Sequence, residues 1–263
     1  MVAAAKLRHA QENILATRPY AGKMQGVLQK LVARAELQQH PLLLKRDGGK
    51  TLIINVTADR GLCGAFNSNL IRYTENIVHS AEDEPVSLLT VGRKGAEYFA
   101  RRNHEIFAKK INFFNHLVFS DAREIVDQVV KAYLAGTFDR ISVIYNEFKS
   151  VLQQNIVREQ ILPFTPDETT AGETSQVDFL YEPSREEILT VLIPRYLNIQ
   201  MWKVLLESNA AEQGARMTAM ENATENAEEL IDYLSLTYNR ARQAAITKEI
   251  SEIVGGAEAL KEK

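Results

Sequence analysis

Cysteine occurs once, at Cys63, which excludes an internal disulfide and suits a reducing compartment. No stretch approaches the roughly 18 consecutive apolar residues of a membrane span. The longest candidate, Ile188 to Trp202, is interrupted by Pro194, Arg195 and Asn198. No G-x-x-x-x-G-K-[ST] run exists, so a Walker-type phosphate loop is excluded. The five histidines (His9, His40, His79, His104 and His116) lie in different segments without metal-ligand spacing. A net charge of −3 gives no bulk attraction to nucleic acid. Proline is missing from residues 195–263, so nothing there forces a helix to stop.

What remains is 263 residues of ordinary globular composition, 45% hydrophobic and 25% charged, enough for one large domain or two modest ones. In the proline-free segment a seam runs Met220, Ala223, Ala227, Leu230, Leu234, Thr237, Ala241, Ala244, with steps alternating between three and four. That spacing predicts a helix laid along another helix. Half the seam is alanine, so a partner can approach closely without one register being locked. The first segment is also helical: Ala3, Leu7, Ala10, Ile14 and Thr17, then Tyr20, Met24, Val27, Leu31 and Ala35, with Pro19 predicting a kink or short break. It should stop near His40-Pro41. Residues 1–50 carry nine Lys/Arg against three Asp/Glu, and residues 207–263 carry six against eleven. Opposite charge on two paired helices would aid alignment more than stability. Met1-Val2-Ala3-Ala4-Ala5-Lys6-Leu7 reads as the middle of a helix with no capping residue, so an upstream piece is expected.

Between the two helices the texture changes. Thr51–Thr57 and Val86–Val91 predict buried strands, and Arg140–Phe148 with Ile156–Leu162 a hairpin. Helices follow Asn67 or Ser68 as cap, follow Gly92-Arg93-Lys94-Gly95, and open at Ser120. Residues 163–177 read as a variable loop, and Val177–Tyr181 as an extended piece before a second long helix. Pro194 should bend that helix. From there to Val254 is roughly 90 Å at 1.5 Å per residue, far beyond a domain whose radius of gyration is about 14 Å. The predicted fold is mixed α/β: an antiparallel coiled coil of the N- and C-terminal helices with an inserted Rossmann-like, three-layer α/β domain. The expected divisions are 1–45, 46–182 and 183–263.

Chemistry of its own is hard to find. Gly61-Leu62-Cys63-Gly64-Ala65 between strand and helix imitates a nucleophile elbow with Cys63 as nucleophile, or a dinucleotide loop. The glycines do not make G-x-G-x-x-G, and tight packing of the corner is the favoured reading. Gly92-Arg93-Lys94-Gly95 could hold an anion at a helix start, though such turns are more often simply solvated. Arg240, Arg242, Gln243 and Thr247 are long donors displayed well inside a helix, which suggests contact with acidic loops of a surrounding partner. The readings left are a subunit of a larger machine, a freestanding coiled-coil adaptor with an α/β head, or a small Cys63 enzyme.

Several motifs narrow this. Ile246 to Ala259 (Ile-Thr-Lys-Glu-Ile-Ser-Glu-Ile-Val-Gly-Gly-Ala-Glu-Ala) resembles the C-terminal signature of the gamma-subunit family of F-type ATP synthases. Asp59-Arg60-Gly61-Leu62-Cys63-Gly64-Ala65-Phe66-Asn67 is similar to its central-domain motif, and Ala215–Met220 and Asn239–Gln243 to its shaft motifs. The resemblance covers essentially the whole chain. It implies a central-stalk rotor, without cofactor or catalytic site of its own, threading a ring of alpha and beta subunits and standing on an epsilon subunit and a membrane c-ring. Carried over, Arg242, Gln243 and Thr247 would contact a beta-subunit loop, and Phe179, Tyr181 and Glu182 the rotor ring. The regulatory cysteine insert of chloroplast relatives is missing, which implies a bacterial enzyme, peripheral on the cytoplasmic side of the inner membrane without inserting into lipid. Ala210-Ala211-Glu212-Gln213-Gly214 departs from the family pattern and is expected to soften the helix.

Overall fold

The computed structural model describes residues 2–33, 40–46, 48–81, 84–165 and 185–261. Its elements in chain order are α1 (Val2–Ala33), β1 (Thr51–Val56), α2 (Phe66–Ser80), β2 (Val86–Val91), α3 (Arg93–Arg101), β3 (Ile106–Lys110), α4 (Phe119–Leu134), β4 (Arg140–Phe148), β5 (Gln154–Leu162) and α5 (Arg185–Lys261). The chain forms two compact units, Met1–Thr218 and Ala219–Lys263, called here the body and the terminal segment. The first part of α5 belongs to the body, and the rest makes the terminal segment.

The body is built on a five-stranded sheet of order β3-β2-β1-β4-β5. The pairs β3–β2, β2–β1 and β1–β4 are parallel, and β4–β5 is the predicted antiparallel hairpin. β1 is buried along its whole length, as a central strand covered on both faces must be. Its alternate residues serve different layers. Ile53 joins Leu70, Ile71, Leu88, Phe99 and Ile144 beneath α2 and α3. Leu52, Ile54 and Val56 join Ile125, Val129 and Tyr133 of α4 on the other face. α1 and α5 extend that second layer, with Leu28 and Leu31 meeting Leu189, Ile193 and Tyr196 in the same core. The three-layer expectation holds.

The helix pair of the body is antiparallel. Leu28 and Leu31 share a core with Leu189 and Ile193, whereas Leu7, Ala10 and Ile14 cluster with Leu206, Ala210 and Ala211. Advancing along α1 therefore retreats along α5. This seam lies at residues 189–211, not at the predicted Met220–Ala244, where every residue is exposed. Alternation of three and four identifies a helix suited to burial, but it does not say by what.

Other details differ from expectation. α1 runs through Pro19 as one helix, without the short break, because proline costs one backbone bond that side packing can outweigh. Pro194 lies inside an unbroken α5, with which the expected bend is compatible. Neither Asn67 nor Ser68 caps α2. The helix starts at Phe66, with Ala65 at the cap position, and the Asn67 side chain turns back to accept from the Ala58 amide at 2.9 Å. β3 had no sequence forecast. The predicted strand Val177–Tyr181 lies outside the described residues.

Candidate partner-contact surface

The motif around Gly61 is structural. Cys63 is 1% exposed, and burial pushes its thiol up from the ordinary value, the opposite of what a nucleophile needs. The turn needs its glycine at Gly64, which sits at φ +56°. Gly92 closes the neighbouring corner at φ +92°, where a Cβ would lie 2.1 Å from the Thr57 carbonyl oxygen. Asp59 Oδ1 accepts from the Arg93 amide at 3.1 Å and the Asn112 amide at 2.9 Å. A carboxylate of the chain itself thus stands at the start of α3, where the sequence suggested an anion.

Two arginines tie α5 into this body, Arg216 through the Gly61 carbonyl and Arg18 through Glu207. At the lower end, Arg216 pairs with Glu212 one turn earlier and donates through Nη2 to the Gly61 carbonyl at 3.0 Å. Glu212 is 5% exposed, and desolvation raises its pKa despite Arg216. Further along, Arg18 of α1 grips Glu207 of α5 through two parallel bonds, Nε to Oε1 at 2.8 Å and Nη2 to Oε2 at 2.9 Å. The same Nη2 also donates to the Phe148 carbonyl at 2.9 Å, while the Phe148 amide donates to Glu207 Oε2 at 3.1 Å. The Glu207 bond raises the Arg18 pKa, so this guanidinium is charged at any working pH. Neither pair was foreseen, although Arg18 sits in the α1 seam between Ile14 and Ala21 and Glu207 interrupts the apolar run Val204-Leu205-Leu206. Between the paired helices of the body the expected charge attraction is realised in the Arg18–Glu207 pair.

The terminal segment carries the other predicted residues. Arg242, Gln243 and Thr247 are all exposed. Gln243 and Thr247 are one turn apart on one face, with Arg242 beside them. Among the described residues Arg240 and Arg242 have no ion-pair partner; the only ion pair in the segment joins Lys248 and Glu252 at 3.7 Å. Around them lie large apolar side chains facing water: Leu230, Ile231, Leu234 and Leu236, then Ile246, Ile250, Ile253 and Val254. The last four fall at steps of four, three and one, a single stripe opposite Lys248 and Glu252. Of the first four, Leu230, Ile231 and Leu234 share one side of the helix and Leu236 points away from it. So many large apolar side chains facing water on one helix mark a surface suited to a partner. Phe179, Tyr181 and Glu182 lie outside the described residues. Among the described residues no His/Cys/Asp/Glu group could hold a metal, and no helix is long and apolar enough to cross a membrane.

A sheet-based body bound to a helix pair, together with a bare apolar helix, defines a subunit of a larger assembly. The family profile described as ATP synthase matches residues 1–260. The chain is 49% identical over 268 residues to the ATP synthase gamma chain of Chlorobaculum tepidum, covering 100% of this chain and 91% of that one. It is 50% identical over 268 residues to that of Pelodictyon phaeoclathratiforme, covering 99% and 91%. The fold matches a central stalk and c-ring structure of Tetrahymena thermophila mitochondrial ATP synthase with TM-score 0.66 and 25% identity, covering 85% of this chain and 96% of that one. It matches a chain of the Euglena gracilis mitochondrial enzyme with TM-score 0.64 at 20% identity, covering 98% and 95%. The chain belongs to the ATP synthase gamma-chain family. That membership sets aside the freestanding adaptor.

Proposed function

We propose that this chain is the central-stalk rotor subunit of a proton-driven ATP synthase, carrying rotation from a membrane c-ring to catalytic beta subunits. The observation that carries the reading is the terminal segment, whose apolar residues are exposed in the chain alone and suit enclosure by a ring of alpha and beta subunits. Arg242, Gln243 and Thr247 serve as donors to a beta-subunit loop. Phe179, Tyr181 and Glu182 meet the rotor ring, with an epsilon subunit alongside. The subunit has no catalytic site and no cofactor. Its one thiol is buried and raised in pKa, and Asp59 accepts from the Arg93 amide at the start of α3. It works as a peripheral protein on the cytoplasmic side of a bacterial inner membrane, touching neither lipid core nor nucleic acid.

The chain alone should not hydrolyse ATP, and should accelerate hydrolysis when added to alpha and beta subunits. Replacing Arg242→Ala with Gln243→Ala should lower ATP synthesis in membrane vesicles several-fold while the subunit still folds and assembles. Synthesis at the unaltered rate would refute the contact assignment.

A further inference from the structure

We propose that the Arg18–Glu207 pair is a positioning element for coupling: it locks the register of α1 against α5 and ties both helices to the end of β4. This deepens the stalk reading and rests on it.

The seam near the pair mixes Leu7, Ile14 and Leu206 with the small Ala10, Ala21, Ala210 and Ala211, so few large knobs resist sliding and apolar packing alone fixes register weakly. A single polar residue in such a seam specifies register, because any slip leaves it without its partner. Here the penalty for slipping is large. Glu207 is 0% exposed, and a buried carboxylate separated from its guanidinium would be left charged and unpaired.

The pair also does something the two helices could not do alone. β1 accompanies β4 only as far as the Asn55–Ile144 pair. Beyond it, that side of β4 has no strand to satisfy its backbone. The Phe148 amide and carbonyl are taken instead by Glu207 and Arg18. The ion pair therefore occupies the place of a missing strand, so that sheet and helices share one hydrogen-bonded joint. Rotation applied to the sheet reaches both helices together.

The test places spin labels at two exposed sites, Leu15→Cys and Val191→Cys, in a full chain carrying Cys63→Ala, and measures the distance between them. With Arg18 and Glu207 intact, one narrow population is expected. Glu207→Gln should add a second population displaced by about 5 Å, one helical turn. Arg18→Lys keeps the charge but loses the two-pronged grip, and should do the same if Glu207→Gln fails to fold. In vesicles holding the assembled enzyme, each variant should cut protons pumped per ATP at least threefold while hydrolysis stays within twofold. A single unshifted population in the folded variants would overturn the register lock. Pumping that keeps pace with hydrolysis would overturn its role in coupling. Failure of the unaltered chain to support pumping would strike instead at the stalk reading, leaving the spin-label result to stand alone.

Discussion

Ile193 and Ile250 lie on the same helix and have the same side chain, yet one is 0% and the other 55% exposed. The difference separates what this chain completes for itself from what it leaves for others. In the body, strands, α4 and the paired helices bury one another, and the Arg18–Glu207 pair is tied to the backbone of Phe148. Among the described residues of the terminal segment, large apolar side chains are exposed and Arg242 has no ion-pair partner. Burial pattern along a continuous helix thus marks where self-sufficiency ends and assembly begins.

The sharpest way to break this contrast is to make the same substitution twice. Ile193→Ala should destabilise the chain by about 2–5 kcal/mol, the cost of a buried cavity. Ile250→Ala should change it by less than about 0.5 kcal/mol. Denaturant unfolding followed by the fluorescence of Trp202, which is in the body, would check both. Equal losses would show that the terminal segment is part of one cooperative core.

A second prediction uses the buried acid at the body's lower fastening. Burial raises the folded-state pKa of Glu212 above its unfolded value, so the folded chain binds that proton more tightly. Its contribution to stability is therefore full in acid and lost as pH rises through the folded value. Glu212→Gln removes that loss while still offering an acceptor to Arg216. It should raise the melting temperature at pH 8 by about 2–4 °C, what ~1 kcal/mol gives in a domain of this size. The advantage should shrink as pH falls towards the ordinary carboxylate range. A deficit at pH 8 would mean that attraction to Arg216 outweighs desolvation.

A smaller, local gain belongs to the bare helix. A Cβ at Gly255 would meet nothing within 4 Å. Gly255→Ala should therefore add about 0.5–1 kcal/mol of local helix stability, read as slower amide exchange around residue 255 with no change in the body. Slower exchange in the body as well would blur the distinction.

Much of this contrast was legible in the sequence. Strands β1, β2, β4 and β5 announced themselves as β-branched runs between turn residues, and the two long helices by their periodicity. β3 did not, because Ile106-Phe107-Ala108-Lys109-Lys110 is an edge strand defined by pairing with β2 rather than by its own composition. The seam at Met220–Ala244 was visible as a surface that wants cover, but the partner of α1 proved to be residues 189–211. Periodicity records a need for burial and is silent about register. The Arg18–Glu207 pair joins residues 189 positions apart, and only folding brings them together. That Arg242, Gln243 and Thr247 stand exposed on a helix was readable from the sequence, and their contact with a beta-subunit loop is the proposal the paired substitution tests.

Amide hydrogen exchange across residues 219–261, in the chain alone and after assembly with alpha and beta subunits, tests the central claim most directly. Protection rising by at least a hundredfold on assembly, with the strands of the body unchanged, is the predicted result. Exchange in that helix at the same rate in both states would contradict the account.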